Sequence, residues 1–187
     1  MKAHFSIAFG PSRRFVSAFG LVLALCLGPI GPVHAVDGCK LLLCMAGNWQ
    51  NISECTPPVH QALRDVARGR DWPTCRMGGN SASGNQYVAP EQCPEQYITN
   101  AGTDEKGQPI YSCPFSGVIH VAVEGRPWSR TWWSPSGDSV VEWLPAAKAA
   151  FANSPNAMDG RFDRDRAAWV ISEQVRLAAQ AAQGSGE

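Results

Sequence analysis

Six cysteines, Cys39, Cys44, Cys55, Cys75, Cys93 and Cys113, follow an apolar N-terminal stretch. An even number of thiols behind an export leader implies a disulfide framework, with 15 pairings open in principle. Structural zinc is the competing use. It needs paired thiols or imidazoles at short spacing, and the chain has no C-x-x-C; past residue 35 its histidines are His60 and His120. Those two suit a helix face and a strand better than a metal. Disulfides are the expected use, and neither a metal nor another cofactor is expected.

The leader has the parts of a secretory signal peptide. Lys2, Arg13 and Arg14 form its basic region, "FVSAFGLVLALCLGPIGP" its apolar region, and Val33-His34-Ala35 its cleavage positions. Gly20, Gly28, Pro29, Gly31 and Pro32 interrupt the apolar region, so no membrane span is expected to remain after cleavage. "SRRFVS" fits a twin-arginine signal poorly, and Leu25 before Cys26 is too large for a lipoprotein site. The expected organisation is a signal peptide over 1–35, one disulfide-stabilised domain over 36–183, and a disordered tail over 184–187. The leader holds three of the 16 basic residues and none of the 16 acidic ones, so the mature chain is mildly acidic. A nucleic-acid groove would need a concentrated basic face, and none is present.

"DGCKLLLCMAGN" reads as a short helix buried on several sides, with Asp37 as N-cap and Gly47-Asn48 as a left-handed stop. "TPPVHQALRDVARGR" reads as a second helix. Thr56 caps it, Gly69 ends it, and Val59, Ala62, Leu63, Val66 and Ala67 form its buried face, with His60 among the residues turned to water. "GGNSASGN" reads as a flexible loop, "APEQCPEQY" as a helical turn around Cys93, and "NAGTDEKGQPIYS" as a polar turn region.

The period then changes to two. "GVIHVAVEG" alternates with Ile119, Val121 and Val123 on one face. "RPWSRTWWS" puts Trp128, Arg130 and Trp132 together, and "SVVEWL" pairs Val141 with Trp143. "EGRP" and "SPSGD" supply turns between them. "LPAAKAAFAN" and "RFDRDRAAWVISEQVRLAAQAAQ" read as closing helices, the second with a stripe through Phe162, Trp169, Val170 and Val175. The expected class is α+β: an N-terminal disulfide-linked helical hairpin, a small three-stranded antiparallel meander and C-terminal helices.

The hairpin suggests a pairing. The short link from Asn48 to Thr56 makes the two helices antiparallel, so Cys44 and Cys55 flank the closed end. Cys39 opens the first helix and Cys75 follows the second, which places them at the open end. Cys93 is left to Cys113. Only pairs whose Cα atoms approach within about 7 Å qualify.

No nucleophile elbow, phosphate loop or zinc-protease helix is present. Glu124 and Glu142 are the acids nearest the tryptophan-rich sheet, where paired carboxylates beside aromatics can cleave a glycan; edge charges facing water are the plainer reading. Trp128, Trp132, Trp133 and Trp143, with Arg130, form an aromatic cluster. Neighbouring Trp132 and Trp133 must point to opposite faces, so core packing and a partner surface both remain open.

"DGCKLLLCMAGNWQNISECTPPVHQALRDVARGRDWPTC", "CPEQY", "IYSCPFSGVIHVAVEGRPWSRTWWSPSGDSVVEW" and "RFDRDRAAWV" resemble the TrbM family of conjugal transfer proteins. The resemblance covers most of the chain beyond residue 35. It implies a periplasmic accessory of plasmid mating-pair formation beside a type IV secretion apparatus, with protein components of that apparatus as partners. It supplies no catalytic residues. The alternative expectation is a secreted cell-wall hydrolase or glycan-binding module.

Overall fold

A computed structural model describes residues 36–75, 77–154 and 158–184. The expected signal peptide, its cleavage point and Cys26 lie outside these residues, as does all but the first residue of the expected tail.

Asp37 caps α1 (Gly38–Met45): its carboxylate accepts from the Cys39 amide at 2.8 Å. Leu41, Leu42, Cys44 and Met45 are buried, whereas Leu43 faces out, 62% exposed. The expected left-handed stop does not form, because Ala46 and Asn48 have φ of −76° and −77°. A single 3-10 turn, Trp49–Asn51, follows instead. In α2 (Thr56–Ala67) Thr56 is not the cap. It is the first helical residue, and its hydroxyl lies 3.1 Å from the carbonyls of both Trp49 and Ile52, which ties the helix to the turn before it. Val59, Ala62, Leu63 and Val66 are buried. His60 does not simply face water; its ring is half-buried and meets Trp49 edge-on at 5.2 Å. Gly69, at φ 82°, ends the helical segment.

The disulfides join Cys39 to Cys75, Cys44 to Cys55 and Cys93 to Cys113, with Cα separations of 4.8, 5.4 and 5.9 Å. The first two close the two ends of the α1–α2 hairpin. The third ties the segment after the first strand to the start of the sheet.

The sheet has four antiparallel strands, one more than the expected meander. β1 (Ala82–Tyr87) pairs with β4 (Gly117–Val123), which pairs with β5 (Arg126–Trp133), which pairs with β6 (Ser139–Trp143). Between β1 and β4 lie two 3-10 turns, Pro90–Gln92 and Glu95–Tyr97, on either side of Cys93, and a separate hairpin of β2 (Thr99–Thr103) and β3 (Pro109–Ser112). The stretch "GGNSASGN" is therefore not a loop throughout, since its second half is the edge strand β1. Its inward polar groups all find partners. Ser83 Oγ accepts from Trp72 Nε1 at 3.0 Å, Asn85 Oδ1 accepts from Trp133 Nε1 at 2.8 Å, and the Tyr87 hydroxyl donates to the Val66 carbonyl at 2.9 Å. A strand whose side chains satisfy buried indoles needs no alternating hydrophobic pattern.

The inner face of the sheet is packed by the helices, and the outer face is packed in part. On the inner face Ile119, Val121, Trp133, Val141 and Trp143 join α1, α2 and Ala147 of α3 (Pro145–Ala150) in the main core. On the outer face Val118, Trp132 and Val140 form a smaller core with Cys93, Phe115 and Phe162. Phe162 belongs to α4 (Arg161–Gly184). That helix is anchored by its first residues: Arg161 donates to both carboxylate oxygens of Asp138 at 3.0 and 3.2 Å, and Asp165 accepts from the Tyr97 hydroxyl at 2.7 Å. The expected single stripe along α4 is split. Phe162 is buried and Trp169 half-buried, while Val170 and Val175 are 38% and 65% exposed.

Candidate functional site

The four sheet tryptophans divide between the two faces, as the alternation of Trp132 and Trp133 requires. Trp128 departs from that alternation. Val121 pairs with Ser129 but Ala122 pairs with Pro127, so Trp128 is the extra residue of a β-bulge. The bulge turns its ring to the inner face, where Nε1 donates to the Ala46 carbonyl at 2.8 Å. The expected grouping of Trp128 with Arg130 and Trp132 is thereby corrected: Arg130 and Trp132 share the outer face, and Trp128, Trp133 and Trp143 lie inside. Trp143 Nε1 donates to the Asp159 carbonyl at 3.1 Å. All four indoles are buried, between 1% and 8% exposed. Of the five residues read as a partner surface, Arg130 alone presents much of its side chain, 42% exposed. Burial turns the rings into core; the outer face is offered by the residues beside them.

The smaller core covers half of that outer face, around Val118, Trp132 and Val140. The other half is open. His120, Arg130 and Glu142 stand on it in adjacent register, because His120 pairs with Arg130 across β4–β5 and Arg130 with Glu142 across β5–β6. Glu142 accepts from Arg130 at 3.4 Å and from Trp132 Nε1 at 3.2 Å. His120 Nε2 lies 3.2 Å from Gln86 Oε1. Burial holds the imidazole below its ordinary range, the Arg130 charge adds to that, and Glu142 opposes it.

Two cavities flank Arg130. One, of about 450 Å³, is mostly apolar and runs over the open half, lined by Ala82, Gly84, His120, Ala122, Pro127 and Leu144 among others. The second, of about 310 Å³, lies on the side of the smaller core, where Glu95, Gln96, Trp132, Glu142, Phe162 and Arg166 meet.

Glu124 and Glu142 are not brought together as a catalytic pair. Glu124 occupies the β4–β5 turn at φ 52°, beside Gly125 at φ 72°, and pairs with Arg126 at 3.2 Å. Glu142 pairs with Arg130, four residues further along β5, roughly 13 Å of strand away. Among the described residues no group of three or more His, Cys, Asp or Glu side chains forms a metal site, and no helix is long and apolar enough to cross a membrane. Three disulfides are consistent with an extracellular or periplasmic protein.

Sequence reasoning missed Gly84, Ala122 and Leu144 as groove-lining residues. Gly84 and Ala122, small residues on adjacent strands, and Leu144, just past β6, leave no signal until the register is known. No family model, curated protein or solved structure matches the chain.

Proposed function

We propose that the protein is an exported accessory of conjugal transfer that acts in the periplasm by binding another protein of the transfer apparatus. The resemblance to the TrbM family supplies the process. One observation carries the binding mode: the open half of the outer sheet face, where an apolar groove runs beside the Arg130–Glu142 pair and His120. An apolar floor with a charged border suits a polypeptide segment, the apolar part giving affinity and the charges register.

Gly84 gives a direct test. A Cβ built on it meets nothing within 4 Å, so Gly84→Leu fills the groove without crowding the strand. Deleting the gene should lower mating frequency and pilus assembly, and Gly84→Leu should lower mating frequency while the protein accumulates normally. Full complementation by Gly84→Leu would remove the groove from consideration; an unaffected deletion strain would remove the transfer role.

The second reading, a secreted hydrolase or glycan-binding module, has one favourable observation. Glu95, Glu142 and Trp132 line the same cavity, which sets carboxylates beside an indole. Against it, Glu142 is already engaged by Arg130 and by Trp132 Nε1. A peptidoglycan zymogram would show a cleared band, abolished by Glu142→Gln, only under that reading.

A further inference from the structure

We propose that the open edge of β1 is a strand-addition site, which a partner protein fills with an extended segment of alternating apolar and polar residues. This rests on the protein-binding reading above and gives the groove its binding mode.

β1 is the outermost strand of its sheet. The Val88 amide donates to the Ser116 carbonyl at 3.1 Å, in register with the β1–β4 ladder. Hydrogen-bonded pairs alternate along an antiparallel ladder, so Gln86, Gly84 and Ala82 also bond to β4. Ser83, Asn85 and Tyr87 therefore turn their backbone N–H and C=O groups the other way, where nothing among the described residues bonds to them. Such a row is a template for another strand, and proteins shield it with charge, proline or a covering element. "ASGNQY" has neither a charged residue nor a proline. The opposite edge, β6, is shielded: α4 packs against it, and Trp143 Nε1 donates to the Asp159 carbonyl just ahead of that helix.

The open edge faces a cleft of about 580 Å³ between β1 and residues 69–74. That far wall is held against α1. The Cys39–Cys75 disulfide ties it there, and a Cβ on Gly38 would fall 2.4 Å from the Thr74 carbonyl. Gly84 lines both this cleft and the apolar groove of the outer face, so the two adjoin at a residue with no side chain. Side chains of an added strand alternate between the faces of the sheet. Those turned outward reach the apolar groove over Gly84, and those turned inward meet Arg70, Asp71 and Thr74. The cleft also selects the occupant. In a second copy β1 stands behind its own wall, and two walled edges cannot close to the ~4.8 Å between paired strands. An extended segment of another protein can enter, with main-chain bonds giving affinity and alternate side chains giving specificity.

The test begins with the full chain in donor cells that carry the transfer genes. A photocrosslinking benzoylphenylalanine replaces Asp71 or Gln86, exposed residues on the two sides of the cleft, or Tyr111 on the separate β2–β3 hairpin, whose edges are also open. The expected result is an adduct with one protein from Asp71 and Gln86 and not from Tyr111. The crosslinked segment, made as a synthetic peptide, is then added to isotope-labelled protein purified from those cells. With the peptide saturating, amide exchange at Ser83, Asn85 and Tyr87 should slow by about tenfold or more, because only the free form exposes them. Gly84 and Gln86, already bonded to β4, should change less. N-methylating the peptide amides that face β1 should weaken binding by about tenfold or more, while N-methylating the alternate ones should not, since every second amide of an added strand points at the edge. No adduct, an adduct of the chain with itself, equal labelling from Tyr111, or N-methyl effects without that alternation would overturn the proposal. Unchanged exchange at Ser83, Asn85 and Tyr87, beside a mating defect in Gly84→Leu, would leave the protein-binding reading and remove the added strand. Slowed exchange there, beside a deletion strain that mates normally, would remove the transfer role and leave the added strand.

Discussion

Asn85 Oδ1 accepts a 2.8 Å hydrogen bond from Trp133 Nε1, and so joins the edge strand β1 to β5 across the intervening β4. Trp133 is 1% exposed, and this is the partner its indole N–H has inside the main core. Removing the acceptor leaves a buried donor unpaired, a loss of about 1–3 kcal/mol. Asn85→Ala should lower the unfolding free energy by that amount and the urea midpoint in proportion, read from tryptophan fluorescence. An unchanged midpoint would mean that the indole finds another acceptor.

The same indole sets the size of its neighbour. A Cβ built on Gly117 falls 2.5 Å from the Trp133 ring, and Gly117 is directly opposite Trp133 in the β4–β5 register. No alanine fits there unless the ring or the strand moves. Gly117→Ala should destabilise by about 1–3 kcal/mol, the usual cost of overpacking. Combined with Trp133→Phe, which shortens the ring system, the same substitution should cost less than the two single changes added together. Additive costs in that cycle would show that the crowding is relieved elsewhere.

The disulfides should not be equivalent. They close separations of 36, 20 and 11 residues for Cys39–Cys75, Cys93–Cys113 and Cys44–Cys55. If they act by restricting the unfolded chain, replacing each pair with alanine should cost on the order of 3 kcal/mol, most for Cys39–Cys75 even with Cys44–Cys55 nested inside its loop, and least for Cys44–Cys55. Urea denaturation of the three double variants measures the ranking. Should the Cys44–Cys55 pair cost most, packing at the closed end of the hairpin outweighs loop length, since Cys44 and Cys55 are 2% and 8% exposed.

How much of this was legible in the sequence depends on where each signal is stored. Periodicity is local, so α1, α2 and the strands β4 to β6 can be read from their own residues, whereas the stop after α1 and the cap of α2 depend on the turn between them. β1 cannot. Its partners Trp72 and Trp133 are 11 and 48 residues from Ser83 and Asn85, and "SASGN" in isolation has the composition of a loop. The bulge at Trp128 is equally silent, because alternation along β5 predicts the wrong face and only the Val121–Ala122 register shift reveals the right one. The candidate site was half legible. Arg130, Trp132 and Glu142 were visible as chemistry, but burial of the indoles left Arg130 and the small groove residues as the accessible surface.

The open sheet face makes a pH prediction through His120. Burial lowers its pKa from the ordinary value of 6.5, Arg130 lowers it further, and Glu142 raises it. A depressed imidazole is disfavoured as the cation in the folded state, so the unfolded chain takes up its proton first as the pH falls. The contribution to stability is fully present above about 6.5, the unfolded value, and is lost as the pH drops through the folded value. The His120 ring-proton shift, followed by NMR across this range, should have its midpoint below 6.5. Arg130→Gln should raise that midpoint by removing the neighbouring cation, and Glu142→Gln should lower it by removing the anion that offsets the cation. His120→Gln should also flatten the decline of stability below about pH 6.5, since the group that binds the extra proton in the unfolded chain is gone. A midpoint at or above 6.5, or one that ignores both neighbouring substitutions, would mean that the three side chains do not share the open face as a coupled set.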